Sequence, residues 1–280
     1  MMTREEAEKE LIAMLEEAEG GPSYSMEEVD AYMRELLHPK NQIYLTGDTH
    51  GQFERIISFC ERQQVQPEST FIILGDVGLN YYGDRRDNRG KDNLTKIPIT
   101  FFCIHGNHEM RPSEELGYQV KEYHGGKVWV QPEYPNLVFA IDGEIYDFFG
   151  HSCIVIGGAY SVERVLSERD WKIDVVLSHT CPLRYEPAEV FLSMIDQSSV
   201  DKSTEQWLGT IESRLHYERW FCGHYHTDKE IDKIRFMFQD YTMLPHQISL
   251  SAEKEMIRRM QRQAEIVEAL GLMDEAQEEK

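Results

Sequence analysis

The stretch Ile43-Tyr44-Leu45-Thr46-Gly47-Asp48-Thr49-His50-Gly51 decides the fold. Apolar residues run into a glycine turn, and an amphipathic stretch over 53–64 follows. That order reads as strand, tight turn, helix. The turn sets a carboxylate and an imidazole two residues apart at the C-terminal end of a strand. Ligands collect at that end in open α/β sheets. The arrangement recurs downstream. Gly75-Asp76 follows the apolar run 71–74, and Gly106-Asn107-His108-Glu109 follows 99–104. Ser178-His179 follows 173–177, and Gly223-His224-Tyr225-His226 follows 220–222.

Any one of these clusters alone is an ordinary turn. Five in order, each after an apolar run, are a candidate site. The side chains Asp48, His50, Asp76, Asn107, His179, His224 and His226 supply oxygen and imidazole donors without sulfur. Such a set suits Mn, Fe, Zn or a similar ion. Seven donors are too many for one ion and suit two that share a carboxylate. A metal pair roughly 3.5–4 Å apart clamps a phosphoryl group and polarises a water.

In this order, the five clusters resemble the calcineurin-like metallophosphoesterases over residues 42–230. The resemblance implies a two-sheet β-sandwich flanked by helices, a four-layer α/β/β/α fold with a dinuclear centre at the sheet ends. It implies that Asp48, His50 and His226 hold one divalent or trivalent ion and that Asn107, His179 and His224 hold the other. Asp76 then bridges them, and His108 moves a proton or holds the phosphoryl group. The implied activity is hydrolysis of a phosphomonoester or phosphodiester by metal-bound hydroxide, phosphatase-like first. The alternatives are a phosphodiesterase on a small nucleotide, a nuclease, and a catalytically silent metal-binding module. The second cluster departs from the Gly-Asp-x-x-Asp-Arg of the family's protein phosphatases. Leu79 stands at the Asp position and Asn80 at the phosphate-binding Arg position. Arg85, Arg86, Arg111 and Arg164 are the candidates to replace that cation.

Composition narrows the partners. The chain has 280 residues, 41% of them apolar, and a formal net charge of -21. That charge argues against long nucleic acid as a partner, while a positive metal site still accepts a small anion. The expected substrate is a phosphorylated small molecule or a phosphopeptide. No apolar stretch is long enough to span a bilayer, and the charged N-terminus lacks a signal-peptide core. Five scattered cysteines, at 60, 103, 153, 181 and 222, form no Cys-x-x-Cys pair and suggest a reducing cytoplasm. Cys181, close to His179, is read as packing rather than as a nucleophile.

The rest of the chain follows from periodicity. Residues 1–40 carry two helical patterns, the second with a Ser25/Glu28 capping box; they form an accessory segment before a phosphoesterase domain over 41–250. Residues 251–280 carry an amphipathic helix and an acidic tail. Within the domain, 81–96 reads as a long polar loop with a functional role. The runs 127–130, 137–142, 145–148 and 153–156 read as antiparallel strands. Residues 162–171 read as a short helix or loop, 187–215 as helical, and 231–238 as one late strand.

Overall fold

The computed structural model describes residues 42–157, 161–191 and 200–244. All of them belong to one compact unit, Lys40–His246. The helices expected before residue 40 and after 250 lie outside the described residues.

The apolar runs become short parallel strands. β1 (Ile43–Thr46), β2 (Thr70–Ile73) and β3 (Thr100–Cys103) lie side by side in register, Leu45 opposite Ile72 and Ile72 opposite Phe102. Each is buried on both faces, which explains why the sequence there is continuously apolar rather than alternating. β4 (Gln119–Tyr123), β5 (Gly126–Val130), β6 (Leu137–Ala140) and β13 (Thr242–Leu244) complete a seven-stranded mixed sheet, ordered β13-β1-β2-β3-β6-β5-β4. A second, six-stranded mixed sheet runs β11-β12-β10-β9-β8-β7. Its strands are β7 (Ile145–Phe148), β8 (His151–Ile156), β9 (Val175–Ser178), β10 (Arg219–Cys222), β11 (Lys229–Ile231) and β12 (Ile234–Phe236).

Alternation along the strands separates three apolar layers. Leu45, Ile72 and Phe102 from the first sheet meet Tyr146, Val155 and Leu177 from the second in the central core. The opposite face of the first sheet, with Tyr44, Phe71 and Phe101, packs on Phe53, Ile56 and Cys60 around helix α1 (Glu54–Gln63). The same cluster includes Leu94 of helix α2 (Asn88–Leu94). The opposite face of the second sheet, with Ile154, Val176 and Trp220, packs on Val162 and Leu166 of helix α3 (Ser161–Ser167). Leu208 and Ile211 of helix α4 (Ser203–Glu212) join that layer. The domain is therefore an α/β/β/α sandwich.

Several expectations from the sequence differ in detail. The polar loop over 81–96 contains α2, whose buried Leu94 was too isolated to show a helical stripe. The pattern over 137–156 is only partly antiparallel. β6 runs parallel to β3 and β8 parallel to β9, so these strands join two parallel blocks. The run 231–238 is two strands, because Asp232 takes a left-handed conformation (φ 54°) and turns β11 back against β12. Of 187–215, the described part is helical at Ala188–Val190, a 3₁₀ turn, and at α4; 192–199 lie outside the described residues. β4 and β13 were not anticipated. β4 is a largely exposed edge strand, where packing imposes little apolar pattern.

Candidate metal centre

All five clusters leave the C-terminal ends of parallel strands: β1, β2 and β3 in the first sheet, β9 and β10 in the second. Parallel pairing points those ends the same way within each sheet. Backbone bonds then tie the turns together. His50 N–H donates to the Asp76 carbonyl at 2.8 Å, and Gly223 N–H donates to the His179 carbonyl at 2.9 Å.

The two carboxylates lie at the centre. Asp48 and Asp76 are each 2% exposed, so water cannot offset their charge. Asp48 Oδ1 accepts the His224 N–H at 2.9 Å, and Asp76 Oδ1 accepts the His108 N–H at 2.9 Å. One oxygen of each thus fixes a distant turn and leaves the other for the site. Asp48 Oδ2 is buried and has no hydrogen-bond partner among the described residues. His226 Nε2 lies 3.2 Å from it, and His50 Nε2 3.9 Å.

The imidazoles converge in two groups. The Nε2 atoms of His50 and His226 are 3.0 Å apart. His179 Nε2 is 2.9 Å from Asn107 Oδ1, 3.2 Å from His224 Nδ1 and 3.5 Å from Asp76 Oδ2. Donors that share one ion at the usual ~2.1 Å stand about 3–3.4 Å from one another. The His50–His226, His226–Asp48 and His179–His224 distances match that spacing, while Asp48–His50 at 3.9 Å and Asp76–His179 at 3.5 Å are wider. Asp48 also falls within reach of both, since it groups with His50 and His226 and again with Asp76 and His179. His179 Nδ1 contacts the Leu74 carbonyl at 2.9 Å, which directs Nε2 into the site.

Electrostatics favour added positive charge. Burial pushes Asp76 toward the neutral acid, but His179 and the His108 N–H outweigh it and hold the carboxyl well below the usual range. Burial pushes His179 down, yet Asp76 and Asp48 carry it up to about 9. His224, also desolvated and beside His179, is pushed down to about 4. Contact with Asp48 raises His226. Two buried carboxylates thus draw a proton onto one imidazole, and a bound cation would displace it. The donor chemistry, the orphaned Asp48 oxygen and the spacing all fit divalent ions.

Local backbone strain marks the same residues. Among the described residues, ten non-glycine positions have positive φ, and His50, Asp76, His224 and His226 are four of them. Such conformations persist where surrounding structure over-determines them, often at functional sites.

Two glycines are required by close approach. A Cβ on Gly106 would lie 2.1 Å from Asp76 Oδ1, and a Cβ on Gly223 would lie 2.2 Å from Asp48 Oδ1. The glycines of the third and fifth clusters therefore make room for the carboxylates of the second and first. Gly223→Ala should lower unfolding stability by roughly 1–3 kcal/mol, the usual penalty of overpacking. An unchanged denaturation midpoint would contradict the close approach.

His108 is exposed, and its ring centroid lies 5.9 Å from that of His50. Together with His50 and Asp76 it lines a cleft of about 480 Å³. Of the four arginines proposed as substitutes for the missing cation, Arg86 lines this cleft. Arg85 and Arg164 are exposed away from its lining. Arg111 pairs with Asp142 at 2.5 Å and donates to the Gly157 carbonyl. Cys181 is buried, and burial pushes its thiol up to about 12, so it packs rather than attacks.

Sequence reasoning missed four supporting residues. Arg55 on α1 donates to the Gly47 and Asp48 carbonyls at 3.2 and 3.1 Å and to Thr46 Oγ1 at 2.9 Å, clamping the first turn. Glu109 accepts the Gly78 and Leu79 N–H groups, which locks the second turn to the third; burial raises its carboxyl to about 7. Asp228 accepts three N–H groups from 238–240 and so holds Phe238, which stacks on His226 at 4.6 Å. Lys91 is buried at 4% exposure and donates to Asn80 Oδ1, Tyr118 OH and Gln131 Oε1 at 3.0, 3.1 and 2.8 Å. Desolvation lowers its pKa. A charged residue inside a polar loop gave no sequence signal that it would be buried.

Lys91→Met should remove three hydrogen bonds donated by a charged group and leave buried acceptors underused. The expected loss is about 2–4 kcal/mol of unfolding free energy, read from urea denaturation. A loss below about 0.5 kcal/mol, the scale of an ordinary surface change, would contradict its role as a buried anchor.

Comparison with known proteins decides the family. Residues 42–228 match the calcineurin-like phosphoesterase family. The chain belongs to that family. It is 24% identical over 174 residues to a protein phosphatase 2A catalytic subunit of Dictyostelium discoideum, covering 59% of this chain and 54% of that one. It is 31% identical over 91 residues to serine/threonine-protein phosphatase PP1-delta of Caenorhabditis elegans, covering 29% of this chain and 27% of that one. The chain thus spans about half the length, or less, of these curated relatives. Among solved structures, an archaeal phosphodiesterase is similar at 10% identity and a TM-score of 0.33, over 72% of this chain and 98% of that one. Phosphopantetheinyl hydrolase from Mycobacterium tuberculosis is similar at 15% identity and a TM-score of 0.34, over 72% and 89%. Among the described residues, no helix is long and apolar enough to cross a membrane.

Proposed function

We propose that this member of the calcineurin-like phosphoesterase family is a metal-dependent phosphoester hydrolase, phosphatase-like in its chemistry. The convergence of five further donors around two buried carboxylates carries this reading. Asp48, His50 and His226 would hold one ion, and Asn107, His179 and His224 the other. Asp76 would lie between them, with Asp48 close to both groups. When bound, such ions supply Lewis acidity at the phosphoryl oxygens and a water acidified toward neutrality.

The chain's own residues supply the rest. Asp76 Oδ1 anchors the His108 backbone, so the imidazole faces the cleft beside His50. From there an imidazole nitrogen of His108 delivers a proton to the leaving oxygen. Burial of Asp48 and Asp76 keeps their charge unscreened. Five buried, unpaired cysteines support a reducing compartment.

The test is hydrolysis of p-nitrophenyl phosphate and of its bis-ester by the full chain with Mn²⁺. Cleavage of the monoester in preference to the bis-ester is expected. Two bound Mn²⁺ per chain with cleavage of neither ester would overturn the enzymatic reading in favour of a silent metal-binding module.

A further inference from the structure

The cleft beside the candidate centre extends away from it along one wall built from 81–93. Phe53, Tyr81, Tyr82, Arg86, Arg89 and Asn93 line that part. The whole cleft, about 480 Å³ including the part beside the centre, is the size of a site for a single small molecule. The wall combines two features that a bare phosphate does not need.

The first is aromatic surface held open to solvent. Tyr81 is 57% exposed and Tyr82 48%, a large exposure for adjacent apolar rings. They meet edge to face at 4.9 Å, so Tyr82 braces Tyr81. The buried Asp87 carboxylate accepts the N–H groups of Tyr82 and Gly83, which fixes the backbone that carries them. Arg86 covers one face of Tyr82 at 3.9 Å. Tyr81 therefore offers the available ring face.

The second is positive charge. Arg86 is oriented by Asp84, to which it donates through Nε and Nη2 at 2.9 and 2.8 Å. The Arg89 guanidinium makes no hydrogen bond or ion pair among the described residues, although Arg89 lines the same cleft as His50 and His108. In a chain of net charge -21, an unpaired guanidinium beside a phosphoester site is a natural anion receptor.

We propose that this wall recognises a nucleotide carrying a second phosphate: the base stacks on Tyr81 and the non-scissile phosphate pairs with Arg89, assisted by Arg86. This rests on the hydrolase reading above for which phosphate is cleaved. A stacked ring and a second anion at fixed separation are found together in a nucleotide. A phosphopeptide can carry a neighbouring aromatic side chain and a second anion, but on separate flexible residues rather than on one small rigid scaffold.

The experiment compares adenosine 3′,5′-bisphosphate, ribose 5-phosphate, glycerol 2-phosphate and a phosphotyrosine peptide as substrates of the Mn²⁺-loaded full chain, and measures bisphosphate binding by calorimetry. The bisphosphate should have the highest kcat/KM. Its ratio to glycerol 2-phosphate should fall by roughly tenfold or more in Arg89→Ala, as one charge-assisted contact is lost. Tyr81→Ala should lower that ratio similarly, the scale of one base–aromatic stack. Calorimetric affinity should fall in parallel, and Tyr81→Phe should restore it. Hydrolysis of glycerol 2-phosphate with no preference for the bisphosphate would overturn the nucleotide proposal and leave the hydrolase reading intact. So would a preference untouched by both variants, or selective cleavage of a phosphotyrosine peptide. Arg89-dependent binding with no hydrolysis of any ester would sink the hydrolase reading and support the pocket.

Discussion

Asp76→Asn is expected to abolish tight binding of two ions and to lower kcat/KM by roughly 10³-fold, the scale of losing a preorganised charge at the reacting centre. The amide keeps the size of the carboxylate and retains an oxygen to accept the His108 N–H, so the third turn stays in place. What disappears is one of the two buried negative charges of the site, in a position 2% exposed. Asp76 Oδ2 lies 3.5 Å from His179 Nε2, so the loss falls on the second donor group directly. It reaches the first group through the shared neighbourhood of Asp48. Two fully occupied tight sites in the variant, measured by elemental analysis after dialysis, would refute the bridging role.

His108→Ala should separate chemistry from metal binding. The side chain is exposed toward the cleft, and its backbone N–H, not its ring, contacts Asp76. Truncation therefore removes an imidazole without removing a donor from either group. Metal content should stay near that of the unaltered protein, while turnover falls by roughly 10²-fold or more, as expected for a lost general acid. The deficit should shrink for esters whose leaving group needs no proton, such as p-nitrophenol. Loss of metal stoichiometry in this variant would contradict the assignment.

Much of this was legible in the sequence because the site is written in short local signals. The apolar runs 43–46, 71–74, 99–104, 173–177 and 220–222 fill parallel strands buried on both faces, so their continuity marked both strand and position. Asp48, Asp76, Asn107 and the four imidazoles follow those runs directly; parallel pairing aligns them within each sheet, and the packing of one sheet on the other brings the two sets together. The support around them was not legible, since it depends on contacts between distant segments. Arg55 reads as one charge on an amphipathic helix, and only the fold brings it to the Asp48 carbonyl. Lys91 lies in a polar stretch, and its burial follows from Asn80, Tyr118 and Gln131 closing over it. The phosphate-binding cation was sought by residue type near the departure at Leu79 and Asn80. Of the arginines chosen on that basis, Arg86 lines the cleft; Arg89 lines it too and carried no sequence signal. Parallel and antiparallel pairing were confused at β6 and β8, where alternation of side chains looks the same in either direction.

The most direct test is anomalous diffraction from crystals of the full chain grown with Mn²⁺. Two peaks are predicted, roughly 3.5–4 Å apart, as in dinuclear phosphoester sites. One should adjoin Asp48, His50 and His226, the other Asn107, His179 and His224, with Asp76 touching both. A single peak, or peaks remote from Asp76, would contradict the account.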